Sequence, residues 1–103
     1  MRNFDFESGR RFLAEGEIVE ALRSLLASLE EDPSNVEAYL ALFEAYDRAF
    51  HEWGDTMVLD QMRKVALAGL RRAGDATMRE RLQGCLDRAD ALILEHQHDE
   101  EGS

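Results

Sequence analysis

The sequence predicts an all-α fold of about five helices, paired as antiparallel helix-turn-helix units. Apolar residues recur every three or four positions along most of the 103 residues, and no segment alternates apolar and polar residues as a half-buried strand does. The chain has one proline, Pro33, and several of its seven glycines stand where a periodic segment ends. An apolar share of 45% with 33% charged residues is typical of a single folded domain.

The first two helices are predicted over residues 5–15 and 17–31. Ser8 and Gly9 lower the helix propensity of the first, so this helix depends on packing against its neighbours. The second has apolar or small residues at the spacing of a half-buried helix and ends before Pro33. Its inner stripe is Ile18, Ala21, Leu22, Leu25, Ser28 and Leu29.

The third helix is predicted over residues 34–52. Ser34 and Glu37 have the spacing of a capping box, and Gly54 ends the helix. Large side chains, most of them aromatic, advance by threes and fours and are predicted to face the interior. They are Tyr39, Leu42, Phe43, Tyr46, Phe50 and Trp53.

The fourth helix is predicted over residues 56–72, with Gly74 beyond its end. The fifth begins at a second capping box, Thr77 with Glu80, and runs to about residue 94. The stripe of the fourth is Val58 or Leu59, Met62, Val65, Ala66 and Leu70, and that of the fifth is Met78, Leu82, Cys85, Leu86, Ala89, Leu92 and Ile93.

The formal charge of −10 is unevenly distributed. Residues 1–52 hold 12 acidic and 5 basic side chains, residues 53–94 hold 6 and 7, and residues 95–103 hold 4 acidic side chains without Lys or Arg. We therefore expect a helical domain over residues 1–94 and an acidic, disordered tail over residues 95–103. An acidic chain argues against nucleic acid or an anionic membrane surface as the partner, because both require a cationic face.

The cellular compartment is predicted from two further features. Cys85 is the only cysteine, so no intramolecular disulfide indicates an oxidising compartment. The first residues lack the apolar stretch of a signal peptide, and no segment has the length of a membrane span. We expect a cytoplasmic protein of bacterial type without membrane insertion.

Two features of the sequence have the spacing of a known helical repeat. Three positions recur 34 residues later: Ser8, Gly9 and Phe12 correspond to Leu42, Phe43 and Tyr46. Within the first unit, gaps of nine, four and eight separate Phe12, Ala21, Leu25 and Pro33. These gaps resemble the signature of the tetratricopeptide repeat (TPR) family. The small residues Gly9, Ala21 and Ser28 would allow close helix packing, while Phe12 and Leu25 fill the space beside them.

The resemblance to TPR proteins implies a fragment of a right-handed α-solenoid. The first unit covers residues 2–35, and a second, degenerate unit continues to residue 72. Phe43 and Asp55 stand in the second unit where the pattern has small residues. The fifth helix shows no third signature and is predicted to cap the array. Any amphipathic helical bundle is the alternative interpretation.

The resemblance also implies a functional surface on the concave side, lined by the first helix of each unit. The corresponding residues are Phe6, Arg10, Leu13, Leu40, Glu44, Asp47 and Arg48. Apolar residues among them predict a hydrophobic groove with a charged rim that binds an extended or helical peptide. The alternative is that Phe6, Leu13 and Leu40 pack against the N-terminus or the cap helix. Family members that bind chaperone tails use Lys and Asn to hold a terminal carboxylate, and that clamp is absent, since Phe6, Arg10 and Ala41 stand at those places.

No residues form a catalytic set, and neither a cofactor nor a metal site is predicted. His51 lacks a second histidine at helical spacing, and His96 with His98 lies on the predicted tail. Cys85 is expected on the inner stripe as a small apolar residue, with redox sensing as the alternative. Basic residues on helices four and five form either a solvated face or a docking surface for an acidic segment. They are Arg63, Lys64, Arg71, Arg72, Arg79, Arg81 and Arg88.

Taken together, the sequence predicts a non-catalytic adaptor or scaffold that binds a segment of another protein. The alternative is a self-assembling structural or regulatory subunit, because a chain with separated charge can pair head to tail with a second copy.

Overall fold

The computed structural model describes the backbone of residues 6–102 and the side chains of residues 6–96. Within this part of the chain the fold is all-α, as predicted, and contains no strand. The helices are α1 (Phe6–Ala14), α2 (Ile18–Glu31), α3 (Val36–Trp53), α4 (Met57–Arg72) and α5 (Ala76–Gly102). Residues 1–5, which include the predicted first residue of α1, and Ser103 lie outside the described backbone.

Each helix packs against the next helix along the chain, and the short connections make consecutive helices antiparallel. In addition, α3 contacts α1 on one side and α5 on the other, whereas the backbones of α2 and α4 do not approach each other within 8 Å in the described part of the chain. The layer of α1, α3 and α5 is therefore the tighter, inner layer. Helix pairs stacked in this way form a body of 50 × 30 × 19 Å with one continuous core.

The core follows the predicted stripes. Leu25, Leu42, Met62 and Leu82 are the largest fully buried apolar side chains, and each comes from a different helix from α2 to α5. Phe43, at the place where the first unit has Gly9, is also buried. Trp53 is an exception, because the prediction that it faces the interior is wrong. It lies in the last turn of α3, and 54% of it is exposed.

Two glycines allow close helix packing. A Cβ atom on Gly9 would lie 2.6 Å from both Cγ and Cδ2 of Leu25, which confirms the predicted close approach of α1 and α2. Gly69 plays a similar part on α4: a Cβ atom there would lie 2.8 Å from Cδ2 of Leu82 and 3.0 Å from Cβ of Tyr39. The close approach in the second unit therefore comes from α4, where the sequence pattern did not indicate it.

Both predicted capping boxes are wrong, because an aspartate two residues upstream takes the backbone N–H. Asp32 Oδ1 accepts hydrogen bonds from the backbone N–H and the hydroxyl of Ser34, and α3 begins only at Val36. Asp75 Oδ1 accepts a hydrogen bond from the backbone N–H of Thr77. An aspartate in such a turn competes well with Ser or Thr for these donors.

The predicted end of α3 at Gly54 is confirmed. Gly54 follows α3 with a φ of +67°, a left-handed conformation that Gly adopts at little cost, and its N–H donates to the carbonyl of Phe50.

The domain boundary predicted at residue 94 is not where α5 ends, since this helix continues to Gly102. Extending a helix that has already formed is favourable, and residues 95–101 contain neither Pro nor Gly. Just beyond the predicted boundary, the ring of His96 packs edge-on against the ring of Phe50 on α3, with 5.1 Å between the ring centroids.

Ser24 on α2 is expected to destabilise the fold. Its side chain is fully buried, and its hydroxyl has no hydrogen-bond partner among the residues that the structure describes. The substitution Ser24→Ala removes a buried hydroxyl without a partner and improves helix propensity, so urea unfolding should show a gain of about 1 kcal/mol. Ser34→Ala is the control, because that hydroxyl is exposed and bonded to Asp32, and no gain is expected. A loss of stability in Ser24→Ala would contradict this interpretation.

Candidate functional site

A cleft crosses the inner layer of the fold, with α3 as its floor. Four residues of α3 stand at positions i, i+3, i+4 and i+7, so they share one helix face. Helix α1 borders this face on one side, and α5 borders it on the other. The cleft has a volume of about 270 Å³ and is lined by Phe6, Arg10, Glu37, Leu40, Ala41, Glu44 and Arg81.

Four of the seven predicted binding residues line this cleft: Phe6, Arg10, Leu40 and Glu44. Phe6 and Leu40 are half-buried, whereas Arg10 and Glu44 are exposed. The guanidinium carbon of Arg10 lies 5.5 Å from the centroid of the Phe6 ring, a cation–π geometry that keeps the cation over the apolar surface.

The assignment of Leu13 to the binding surface is wrong. Only 5% of this residue is exposed, and it belongs to the core cluster that also contains Ala21 and Leu25. Leu13 stands seven residues after Phe6, close to two turns of helix, so the two share a helix face. The fold nevertheless buries the C-terminal end of that face and leaves the end at Phe6 half open.

Asp47 and Arg48 lie one turn beyond the cleft and are engaged in contacts between helices. Asp47 accepts hydrogen bonds from Nε and Nη2 of Arg88 at 3.1 and 3.0 Å, which link α3 to α5. Arg48 Nη1 donates to the carbonyl oxygen of Leu13 at 2.7 Å, which links α3 to α1. Both residues therefore hold the inner layer together rather than line its cleft.

Three residues that line the cleft are absent from the predicted binding set: Glu37, Ala41 and Arg81. The first two follow from the helical spacing around Leu40, so the sequence contained the signal for them. Arg81 enters the cleft only because α5 contacts α3, and that contact cannot be deduced from periodicity.

The remaining basic residues of α4 and α5 are partly neutralised, as expected for a solvated face. Arg63 pairs with Asp90 at 2.8 Å, and Lys64 pairs with Asp60 at 3.3 Å. Arg79 donates to the carbonyl oxygens of Leu70 and Ala73. The two ion pairs are solvent-exposed and of small energetic weight.

A second, shallower concavity of about 470 Å³ lies between the end of α4 and the start of α5. Although it is larger, it is the weaker candidate, because Arg79, a prominent charged residue in its lining, already binds two backbone carbonyls of the same region. It is lined by Leu70, Ala76, Arg79, Glu80 and Gln83.

The described residues contain no group of three or more His, Cys, Asp or Glu side chains able to hold a metal ion. Nδ1 of His51 lies 2.9 Å from the backbone oxygen of Asp47 and 3.4 Å from its Oδ1. The side chain of His98 lies outside the described residues. No helix within the described part of the chain combines the length and the apolar character that a bilayer crossing requires.

Cys85 is expected to react slowly with thiol reagents. Burial raises the pKa of this thiol above its ordinary value of 9.0, and Asp47 raises the pKa further, while Arg81 and Arg88 lower it. A raised pKa leaves less thiolate at a given pH, so alkylation by iodoacetamide at pH 8 should be slower in the folded protein than in the urea-unfolded chain. Equal rates in the folded and unfolded protein would contradict this prediction, because they would show that the Cys85 thiol is accessible and that its pKa is not raised by folding.

Comparisons with known proteins do not assign this chain to a family. No family model matches the sequence, and searches of curated proteins and of solved structures gave no significant match. The cleft is therefore the basis for assigning a function.

Proposed function

We propose that this protein is a non-catalytic adaptor whose α1–α3–α5 cleft binds a peptide segment or helix of another protein. The observation that carries the proposal is the composition of the cleft: half-buried apolar side chains at its floor, with charged side chains around them. Peptide-binding grooves have this design, because apolar anchors supply affinity and the charged rim supplies orientation. The proposal also agrees with the resemblance to TPR proteins, which bind peptides on the side lined by the first helix of each unit.

A selection of random peptides displayed on phage tests the proposal. Peptides selected on the unaltered protein are expected to lose most of their binding to the double variant Phe6→Ser/Leu40→Ser. Leu13 is left unchanged, since a polar residue at this buried position would unfold the protein rather than report on binding.

The matched control is the double variant Val19→Ser/Leu26→Ser on α2. These two side chains are 51% and 45% exposed and lie outside the cleft, so the chemical change is similar and binding should persist. Circular dichroism verifies that both variants are folded. Peptides that bind the Phe6→Ser/Leu40→Ser variant as tightly as the unaltered protein, or a selection without any binder, would contradict the proposal.

A second candidate function is self-assembly through exposed apolar side chains away from the cleft. Trp53 and Met57 flank the turn at Gly54 and are 54% and 78% exposed. An exposed apolar pair of this kind often lies at a protein interface. Sedimentation equilibrium should then show a dimer or larger species that dissociates in the variant Trp53→Ser/Met57→Ser. Protein at about 1 mM should populate even a weakly associating dimer. A monomer at this concentration would therefore exclude this candidate.

A further inference from the structure

The charged residues of the cleft differ in how far they are already neutralised. Glu44 accepts a hydrogen bond from Arg48 Nη2 at 3.0 Å, so its charge is paired within α3. Arg10 and Arg81 make no hydrogen bond or ion pair with the described residues. Glu37 is the one carboxylate of the cleft lining that lacks a partner among them. Among the described residues of the lining, the charges open to a ligand are thus two cations and one anion.

The two arginines stand on opposite sides of the apolar floor. Arg10 comes from α1 and Arg81 from α5, and α3 with Leu40 and Ala41 lies between these helices. A guanidinium group binds carboxylates through paired hydrogen bonds, and Arg is frequent in such recognition sites. A ligand that crosses the cleft meets a cation, then apolar surface, then a second cation.

We infer that the cleft recognises an acidic peptide segment in which large apolar side chains are flanked on both sides by carboxylates. This inference rests on the proposed function and names the class of partner for the same site. Apolar side chains would lie on Leu40 and Ala41, while the flanking carboxylates bind Arg10 and Arg81. Charge complementarity with these two cations favours a partner segment that carries carboxylates on both sides of its apolar residues.

Phosphate groups are the other anions that arginine binds, but the cleft is poorly suited to nucleic acid. The backbone of a nucleic acid carries phosphates along its whole length and would place some of them beside Glu37 and Glu44, whereas the carboxylates of the inferred segment stand only beside its apolar residues. A thymidine 12-mer therefore serves as a test of this alternative.

Fluorescence anisotropy with three fluorescein-labelled hexapeptides tests the inference. The acidic probe is Asp-Glu-Leu-Phe-Glu-Asp, its basic twin is Lys-Lys-Leu-Phe-Lys-Lys, and the probe without apolar residues is Asp-Glu-Ser-Ser-Glu-Asp. Only the acidic apolar probe is expected to bind, and its affinity should fall as salt rises because partly exposed charges are screened.

The variant Arg10→Glu/Arg81→Glu should weaken binding of the acidic probe by about tenfold or more, since two charge-assisted contacts become repulsive. The control variant Arg23→Glu/Arg72→Glu makes the same change in net charge at exposed positions outside the cleft lining, and a change of less than about twofold is expected. Circular dichroism establishes that both variants retain their helices.

Each contrary result has a separate meaning. Equal weakening in both variants would overturn the inference, because binding would then follow net charge alone. Tighter binding of the basic twin or of the thymidine 12-mer would also overturn it. If the acidic probe fails while phage selection yields peptides that require Phe6 and Leu40, the inference fails and the proposed peptide-binding function stands.

Discussion

Replacing Leu25 by alanine is expected to lower the free energy of unfolding by about 2–5 kcal/mol. Leu25 is fully buried, and its side chain packs against Gly9 of α1 within the cluster that also contains Leu13 and Leu42. Truncation removes three buried carbon atoms and leaves a cavity that neighbouring helices can fill only in part. Urea unfolding followed by circular dichroism measures the change.

Leu26→Ala is the matched control, since the same side chain is shortened one position further along α2. Leu26 is 45% exposed, so a loss below about 1 kcal/mol is expected. A change below about half a kcal/mol for Leu25→Ala would place Leu25 outside the core and contradict the packing of α1 on α2.

Replacing Gly9 by alanine is expected to destabilise the fold by about 1–3 kcal/mol, although alanine is the better helix former. The new methyl group would lie 2.6 Å from two atoms of Leu25, a side chain that is fully buried and has little room to move. Gly84→Ala is the control on α5, where a Cβ atom would meet no side chain and no other helix within 4 Å in the described part of the chain. There only the gain in helix propensity acts, and stability should rise by about 0.5–1 kcal/mol.

The double variant Gly9→Ala/Leu25→Ala separates steric overlap from other causes. Alanine at position 25 removes the atoms with which the new methyl group would collide, and that methyl group then occupies part of the cavity. The double variant should therefore be more stable than the sum of the two single losses predicts, by about 1 kcal/mol or more. Additive losses would mean that Gly9 and Leu25 are not in contact.

The helices could be predicted from the sequence because each has a stripe that meets the same core. Ile18, Leu25 and Leu82 fall on such stripes, and all three are buried. The helix starts were less predictable, since Asp32 and Asp75 compete with the neighbouring hydroxyl residues for the same backbone donors. Trp53 illustrates a further limit: a periodic position at the end of a helix is buried only if another element reaches it.

The cleft was predictable only in part. Phe6, Arg10 and Leu40 were identified because the family resemblance places the first helix of each unit on the inner side, and the structure brings these residues together. Burial of Leu13 and the presence of Arg81 depend on how α1 and α5 contact α3. Such contacts are set by side-chain fit between helices, and periodicity within one helix does not contain them.

The central claim is that the α1–α3–α5 cleft is the surface that binds a protein segment. The most direct test is a titration of the ¹⁵N-labelled protein with a peptide selected on the unaltered chain, followed through backbone amide chemical shifts. The largest shifts are expected at Arg10, Leu40 and Arg81, on three different helices. Shifts concentrated on α2 around Val19 and Leu26, with these three amides unchanged, would contradict it.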